Sequence, residues 1–205
     1  MEIFSKMSGF FLDIVETVVV ALSIFLVIYL FFLQPHQVQG QSMEPTFKTG
    51  DYLLTDKVSY QAGQPHRGDV VIFHAPAAAG CVEGTGCDFI KRVLGLPGDT
   101  VSVHDNAIWI NGQAIPEPYI PEENYTKEAE FTRGGREIVL GPEEYFLSGD
   151  NRPHSHDSRA FGPVTKQEIV GRAFFRYWPL NKIGIIPRVN YEGFSSTSAF
   201  SAAGQ

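Results

Sequence analysis

The chain has 205 residues, 43% of them hydrophobic and 19% charged, which suits one ordinary globular domain with an appended segment. Its formal net charge of -7 disfavours a nucleic-acid partner. Frequent Gly and Pro, with many aromatic and β-branched residues, point to a mainly β fold of short strands and turns.

Residues 1–12 read as a short stub, and residues 13–34 as a membrane-spanning helix. From Thr17 to Leu33 the chain reads "TVVVALSIFLVIYLFFL", with no charge. As a helix this run spans about 25 Å, and extension back through Ile14 and Val15 approaches bilayer thickness. Asp13 and Glu16 then sit near one interface, where carboxylates reach water. Tyr29, Phe31 and Phe32 suit the other. A cleaved leader fits poorly, because the apolar run is too long and no small-x-small site follows it. Lys6 and the terminal amine precede the run, so the positive-inside rule favours an inner N-terminus, with everything after Leu33 outside.

Pro35 is expected to end the helix, and residues 37–40 to run extended into a turn, "GQSMEPTF", at 40–47. Strands are expected in 51–60, in 68–76 and through 90–93. A hairpin follows in "TVSVHDNAIWING", with turns at His104–Asn106 and at Asn111–Gly112. Residues 117–136 read as a loop excursion. "EYFLS" reads as a strand, Ser148 to Pro163 as a long polar loop, and "IVGRAFFRYWPL" as a last apolar strand. Residues 192–205, rich in Ser and Ala, are expected to be disordered. Cys81 and Cys87 are the two cysteines, too few for a zinc site without His. Outside the cytoplasm a local disulfide is expected, with two free thiols as the alternative.

A serine hydroxyl is a poor nucleophile until a base takes its proton. None of the six histidines lies in a recognisable triad context, and there is no G-x-S-x-G elbow. A neutral lysine can replace histidine, because burial lowers an amine's pKa. Lys91, in "FIKRVLGLPGD", is a candidate: alternation turns Lys91 and Val93 to one face and lets Arg92 reach solvent. An exposed strand lysine is the competing interpretation. "SGDNRPHSHDSRAFGP" is dense in Asp and Arg, which can brace a site through forked pairs. His154, His156 and Asp157 also admit a metal, without a clear further ligand.

In this order, "GQSMEPTF", "GDYLLTDK", "GDVVIF", "KRVLGLPGD" and "GDNRPHSHDSRAFGPV" resemble the type I signal peptidases, membrane-anchored Ser-Lys proteases of bacteria. The resemblance runs from the anchor to about Pro179. It implies a β-rich catalytic domain over residues 35–191, Ser42 as nucleophile, Lys91 as general base and Ser155 as the group orienting the amine. Asp150, Asp157 and Arg159 would be structural support. The oxyanion hole would be built at Ser42 N–H and position 40. There many members carry a hydroxyl and this chain has Gly40, leaving a backbone N–H or a water as second donor. Val38, Met43, Ile90 and Val93 are expected to line pockets for small side chains. An acid that relatives often carry is replaced by Pro153. The resemblance implies no metal and no cofactor.

The partners it implies are signal peptides of secretory preproteins and the lipid bilayer, with no nucleic acid and a monomeric enzyme. The implied location is the bacterial inner membrane, single-pass, N-terminus cytoplasmic and catalytic domain periplasmic. A pilin-processing relative, an organellar peptidase and a non-catalytic anchored assembly protein are the alternatives.

Overall fold

The computed structural model describes residues 2–80 and 87–191, with the side chains of 2–8, 28, 30, 31 and 62 left aside. The expected Cys81–Cys87 pairing and the expected disordered tail lie outside the described residues.

The apolar N-terminal run forms helix α1 (Glu2–Phe31). Its Gly9–Val27 stretch has a mean hydropathy of 2.4, and none of it is buried against the rest of the protein. Thr17 and Ser23 donate their hydroxyls back to the carbonyls of Asp13 and Val19, so neither needs water. The helix differs from the expected 13–34 span at both ends. It takes in most of the expected stub, and it stops before Leu33. Leu33, Gln34 and Pro35 belong instead to β1 (Leu33–Gln37). The apolar run continues past the helix end because β1 is half-buried against its neighbour. Pro35 fits there because β1 is an edge strand, where a missing N–H is tolerated.

Among the described residues, two antiparallel sheets carry the rest of the fold. The larger contains β1, β2 (Tyr52–Asp56), β3 (Val70–His74), β4 (Asp88–Gly95), β9 (Glu144–Ser148), β10 (Val164–Thr165), β11 (Ile169–Trp178) and β12 (Gly184–Ile185). Its order is β1-β2-β11-β3-β4-β9-β10, with β12 on β11. The smaller sheet runs β7 (Gln113–Ala114), β6 (Ala107–Ile110), β5 (Thr100–His104), β8 (Ile138–Val139). Its hairpins turn at Asp105–Asn106 (φ 50° and 60°) and Asn111–Gly112 (φ 52° and 79°). Positive φ at both central residues matches the right-handed twist of paired strands, which is why Asn and Gly sit there. The strand expected over 51–60 ends early. The Asp56 carboxylate accepts the N–H groups of Val58 and Ser59 and turns the chain into α2 (Ser59–Ala62).

Three apolar clusters hold these layers. Leu94 and Phe146 of the large sheet pack with Val101, Val103, Ile108 and Ile110 of the small one. Met43 and Phe47 of the serine turn pack with Leu53, Val70, Ile72 and Ile90 on one face of the large sheet. On its other face Val71, Phe73, Val93 and Leu147 meet Tyr60 of α2 and Phe161 of α3 (Ser158–Phe161). Each fully buried large side chain contributes on the order of 1.5–3 kcal/mol. The serine turn and the polar loop are therefore mounted on a packed scaffold.

Candidate active site

The turn carrying Ser42 is pinned from both ends. Met43 and Phe47 are sunk in the core, at 1% and 0% exposure. The Ser42 carbonyl accepts the Asn151 N–H at 3.0 Å, and the Asn151 side-chain amide donates to the Gln41 carbonyl at 3.1 Å. Thr46 donates its hydroxyl to Asp150 at 2.5 Å. These bonds tie the turn to the polar loop that follows β9.

Lys91 lies in the middle of β4, opposite Val71 of β3, and is 3% exposed. Its Nζ is 2.8 Å from Ser42 Oγ and donates to the Ile90 carbonyl at 2.9 Å. The ammonium form is disfavoured here because little water reaches it. Burial pulls the amine down from its usual value to about 8, against the Asp157 and Asp150 carboxylates, which hold it up. A neutral amine 2.8 Å from an alcohol can accept its proton.

Asp150 forks onto Arg92, at 2.9 Å to Nε and 2.6 Å to Nη2. Arg92 also donates to the Gly68 carbonyl at 3.0 Å. This corrects the expectation that Arg92 reaches solvent: it is 2% exposed, because Asp150 and Gly68 replace its water. Asp157 accepts from Arg159 Nε and Nη2 at 2.8 Å each, from the Gly149 N–H at 3.0 Å and from Ser148 Oγ at 3.0 Å. Burial pushes the Asp157 carboxyl up. Arg159, the Gly149 N–H and the nearby Ser155 hydroxyl outweigh that and hold it at about 2. Gly149 sits where loop and turn meet. A Cβ built on it would lie 2.3 Å from Ser155 Oγ and 2.4 Å from the Ser42 carbonyl oxygen.

Ser155 does not bond to Lys91 as expected. The two hydrogen bonds of Lys91 Nζ go to Ser42 and Ile90, and Ser155 Oγ is buried without a bond of good geometry. Gly40 is at φ +92°, with open space where a side chain would be, and its carbonyl accepts from Thr49. No described group takes up the Ser42 N–H.

A cavity of about 410 Å³ opens beside the pair, lined by Val38, Leu53, Ile72 and Ile90 together with Ser42, Lys91 and His36. Of the four expected pocket residues, Val38 and Ile90 line it. Met43 does not, because it anchors the turn from beneath. Val93 does not, because two residues beyond Lys91 the strand is covered by Tyr145 and Leu147. Leu53, Ile72 and His36 escape sequence reasoning. They reach the wall only through strand register, His36 beside Leu53 and Ile72 beside Ile90. Burial pushes the His36 imidazole below its ordinary pKa. Among the described residues no group of three or more His, Cys, Asp or Glu is placed to hold a metal ion.

Residues 11–178 match the family described as signal peptidase, peptidase S26. Signal peptidase IB of Staphylococcus aureus (strain COL) is 32% identical over 182 residues, covering 83% of this chain and 91% of its own length. Signal peptidase I of Leptolyngbya laminosa is 38% identical over 172 residues, covering 83% of this chain and 81% of its own. A crystal structure of an Enterococcus faecalis signal peptidase I is 34% identical, covers 53% of this chain and 95% of its own, and superposes with a TM-score of 0.41. With its unburied apolar N-terminal helix, its β-rich body and a family match over most of its length, the chain belongs to the membrane-anchored serine proteases of the signal peptidase family, peptidase S26.

Proposed function

We propose that the chain removes N-terminal signal peptides from secretory preproteins, with Ser42 as nucleophile and Lys91 as general base. The observation that carries this reading is the 2.8 Å approach of a buried lysine amine to a serine hydroxyl beside an apolar cavity. The neutral amine takes the Ser42 proton as Oγ attacks the scissile carbonyl. The oxyanion forms near the uncommitted Ser42 N–H, with a second backbone N–H or a water in place of a side chain at position 40. Lys91 then gives its proton to the departing amine. It next takes a proton from the water that attacks the ester and passes it to the departing Ser42 Oγ, which leaves the hydroxyl restored and the amine neutral. Asp150 with Arg92, and Asp157 with Arg159, hold the loop against the serine turn.

Substrate enters as an extended segment along the cavity wall. The Val38 N–H and C=O are committed to Asp51 and Gly50, so strand alternation turns the neighbouring backbone groups of Gln37 and Gln39 toward the cavity they line. Val38, Leu53, Ile72 and Ile90 exclude large or charged side chains. α1 is a single bilayer span of a bacterial inner membrane. Its N-terminal end is cytoplasmic, and residues 35–191 form the periplasmic domain. One copy suffices, because Ser42 and Lys91 come from the same chain.

The test is cleavage of a model preprotein in detergent by the parent chain, Ser42→Ala and Lys91→Ala. Both variants should fold and lose activity by about 10³-fold or more. Retained cleavage by either would overturn the assignment.

A further inference from the structure

The excursion between β7 and β8 contributes nothing to the Ser42–Lys91 pair directly, yet it sends one carboxylate into the loop that holds the pair. Arg152 is 2% exposed. Its Nε donates to the Gly149 carbonyl at 3.0 Å, its Nη1 to Thr126 Oγ1 and its Nη2 to Glu117 Oε1. The same Glu117 oxygen accepts the Tyr119 hydroxyl at 2.7 Å. The Arg92 guanidinium lies 4.2 Å from the centre of the Tyr119 ring, and Arg92 holds Asp150. Glu117 thus begins two arms. One passes through Arg152 to Gly149, whose Cα faces the Ser42 carbonyl. The other passes through Tyr119 and Arg92 to Asp150, which accepts the Thr46 hydroxyl of the serine turn.

We propose that Glu117 is a positioning residue for the Ser42–Lys91 pair, acting through Arg152 and the Gly149 carbonyl. The proposal rests on the Ser-Lys reading above. Without the Glu117 carboxylate, Arg152 is a buried cation that has lost its counter-ion, a costly state. Its guanidinium already feels the charge of Asp157. Moving toward Asp157 would compete with Arg159 and with the Gly149 N–H, and would carry Gly149 away from Ser42. Lys91 is faced by Asp157, Asp150 and Arg159, with Asp157 the stronger of the two carboxylates in favouring its charged form. Drawing Asp157 onto a second guanidinium therefore eases loss of the Lys91 proton, while the misplaced turn slows the reaction.

The experiment measures kcat, KM and the pH profile of full-length Glu117→Ala, Glu117→Gln, Arg152→Gln and the Glu117→Gln/Arg152→Gln double variant, in detergent, on one preprotein. Glu117→Ala should lose about 100-fold in kcat with KM little changed, as expected when reacting groups are misplaced by an ångström or so. Its acidic limb should move to lower pH. The isosteric Glu117→Gln should show the same changes in smaller degree, and it decides the matter where Glu117→Ala does not fold. The double variant should be no worse than Arg152→Gln, because the two residues act in series. A Glu117→Gln enzyme with parental kcat and pH limb, whatever its melting temperature, overturns the proposal, as do losses that simply add in the double variant. Ser42→Ala is run in the same series. If it still cleaves, the Ser-Lys reading fails; if it is dead while the Glu117 variants match the parent, only the positioning role fails.

Discussion

Lys91 is charged in the unfolded chain at neutral pH and buried in the folded one, so folding works against its proton. With the amine lowered from 10.5 to about 8, the folded protein releases that proton first as pH rises. Activity should climb about tenfold per pH unit below pH 8 and level off above it, because only the neutral amine accepts the Ser42 proton. Single-turnover rates on a preprotein between pH 5 and 9 check this, and a flat profile contradicts an amine base. The same shift makes a stability prediction. Below pH 8 the folded state bears the full cost of a buried charge, and that cost fades as pH rises toward 10.5. Lys91→Met should therefore be more stable than the parent near pH 7, with its advantage shrinking by about 3 kcal/mol by pH 10.5, read from urea midpoints. Lys91 itself was legible from its apolar neighbours together with the motif around it. Arg92 was not, since two adjacent strand residues point to opposite faces and here both faces are covered.

At the level of elements, the polar loop is held by contacts that leave no slack. Gly149→Ala places a methyl within 2.4 Å of the Ser42 carbonyl oxygen, which belongs to backbone and cannot swing away. Such overpacking costs about 1–3 kcal/mol, and a displaced serine turn should lower kcat by about 100-fold. Thermal melts and kcat measured on the same sample separate the two effects. Asp157, held at about 2 against an ordinary 3.8, stabilises the fold above pH 4, and that contribution is lost as pH falls toward 2. Asp157→Asn should lower stability at pH 7 and flatten the acid slope of the unfolding midpoint between pH 4 and 2. The hairpins of the small sheet were readable because Asn106, Asn111 and Gly112 meet a local dihedral requirement. β10 and β12, two residues each, were not, because such short strands exist only as partners of β9 and β11. Leu33 and Gln34, expected in the helix, belong to β1 because an apolar run reads alike in lipid and against a neighbouring strand.

For the molecule as a whole, α1 adjoins the sheet at β1, and its Gly9–Val27 stretch leaves its apolar surface unburied. Deleting residues 2–31, which keeps β1 intact, should leave cleavage of a short soluble peptide within about threefold of the parent. Cleavage of a preprotein embedded in vesicles should fall far more, because on the proposed reading α1 places the enzyme in the same membrane as its substrate and raises their effective concentration. Equal losses on both substrates would show that α1 supports the fold instead. What the sequence by itself determined is whatever rests on local chemistry: an uncharged run long enough to cross a bilayer, turns at Asn and Gly, and motifs whose order marks the family. Only the tertiary structure decided which side chains share a space. It set a serine 49 residues from its lysine at 2.8 Å, put Leu53 and Ile72 into one wall, and brought Glu117 from a loop excursion onto Arg152. These depend on strand register and on which buried charge finds which partner, and both arise when distant segments pack against each other, a property no local stretch of sequence carries.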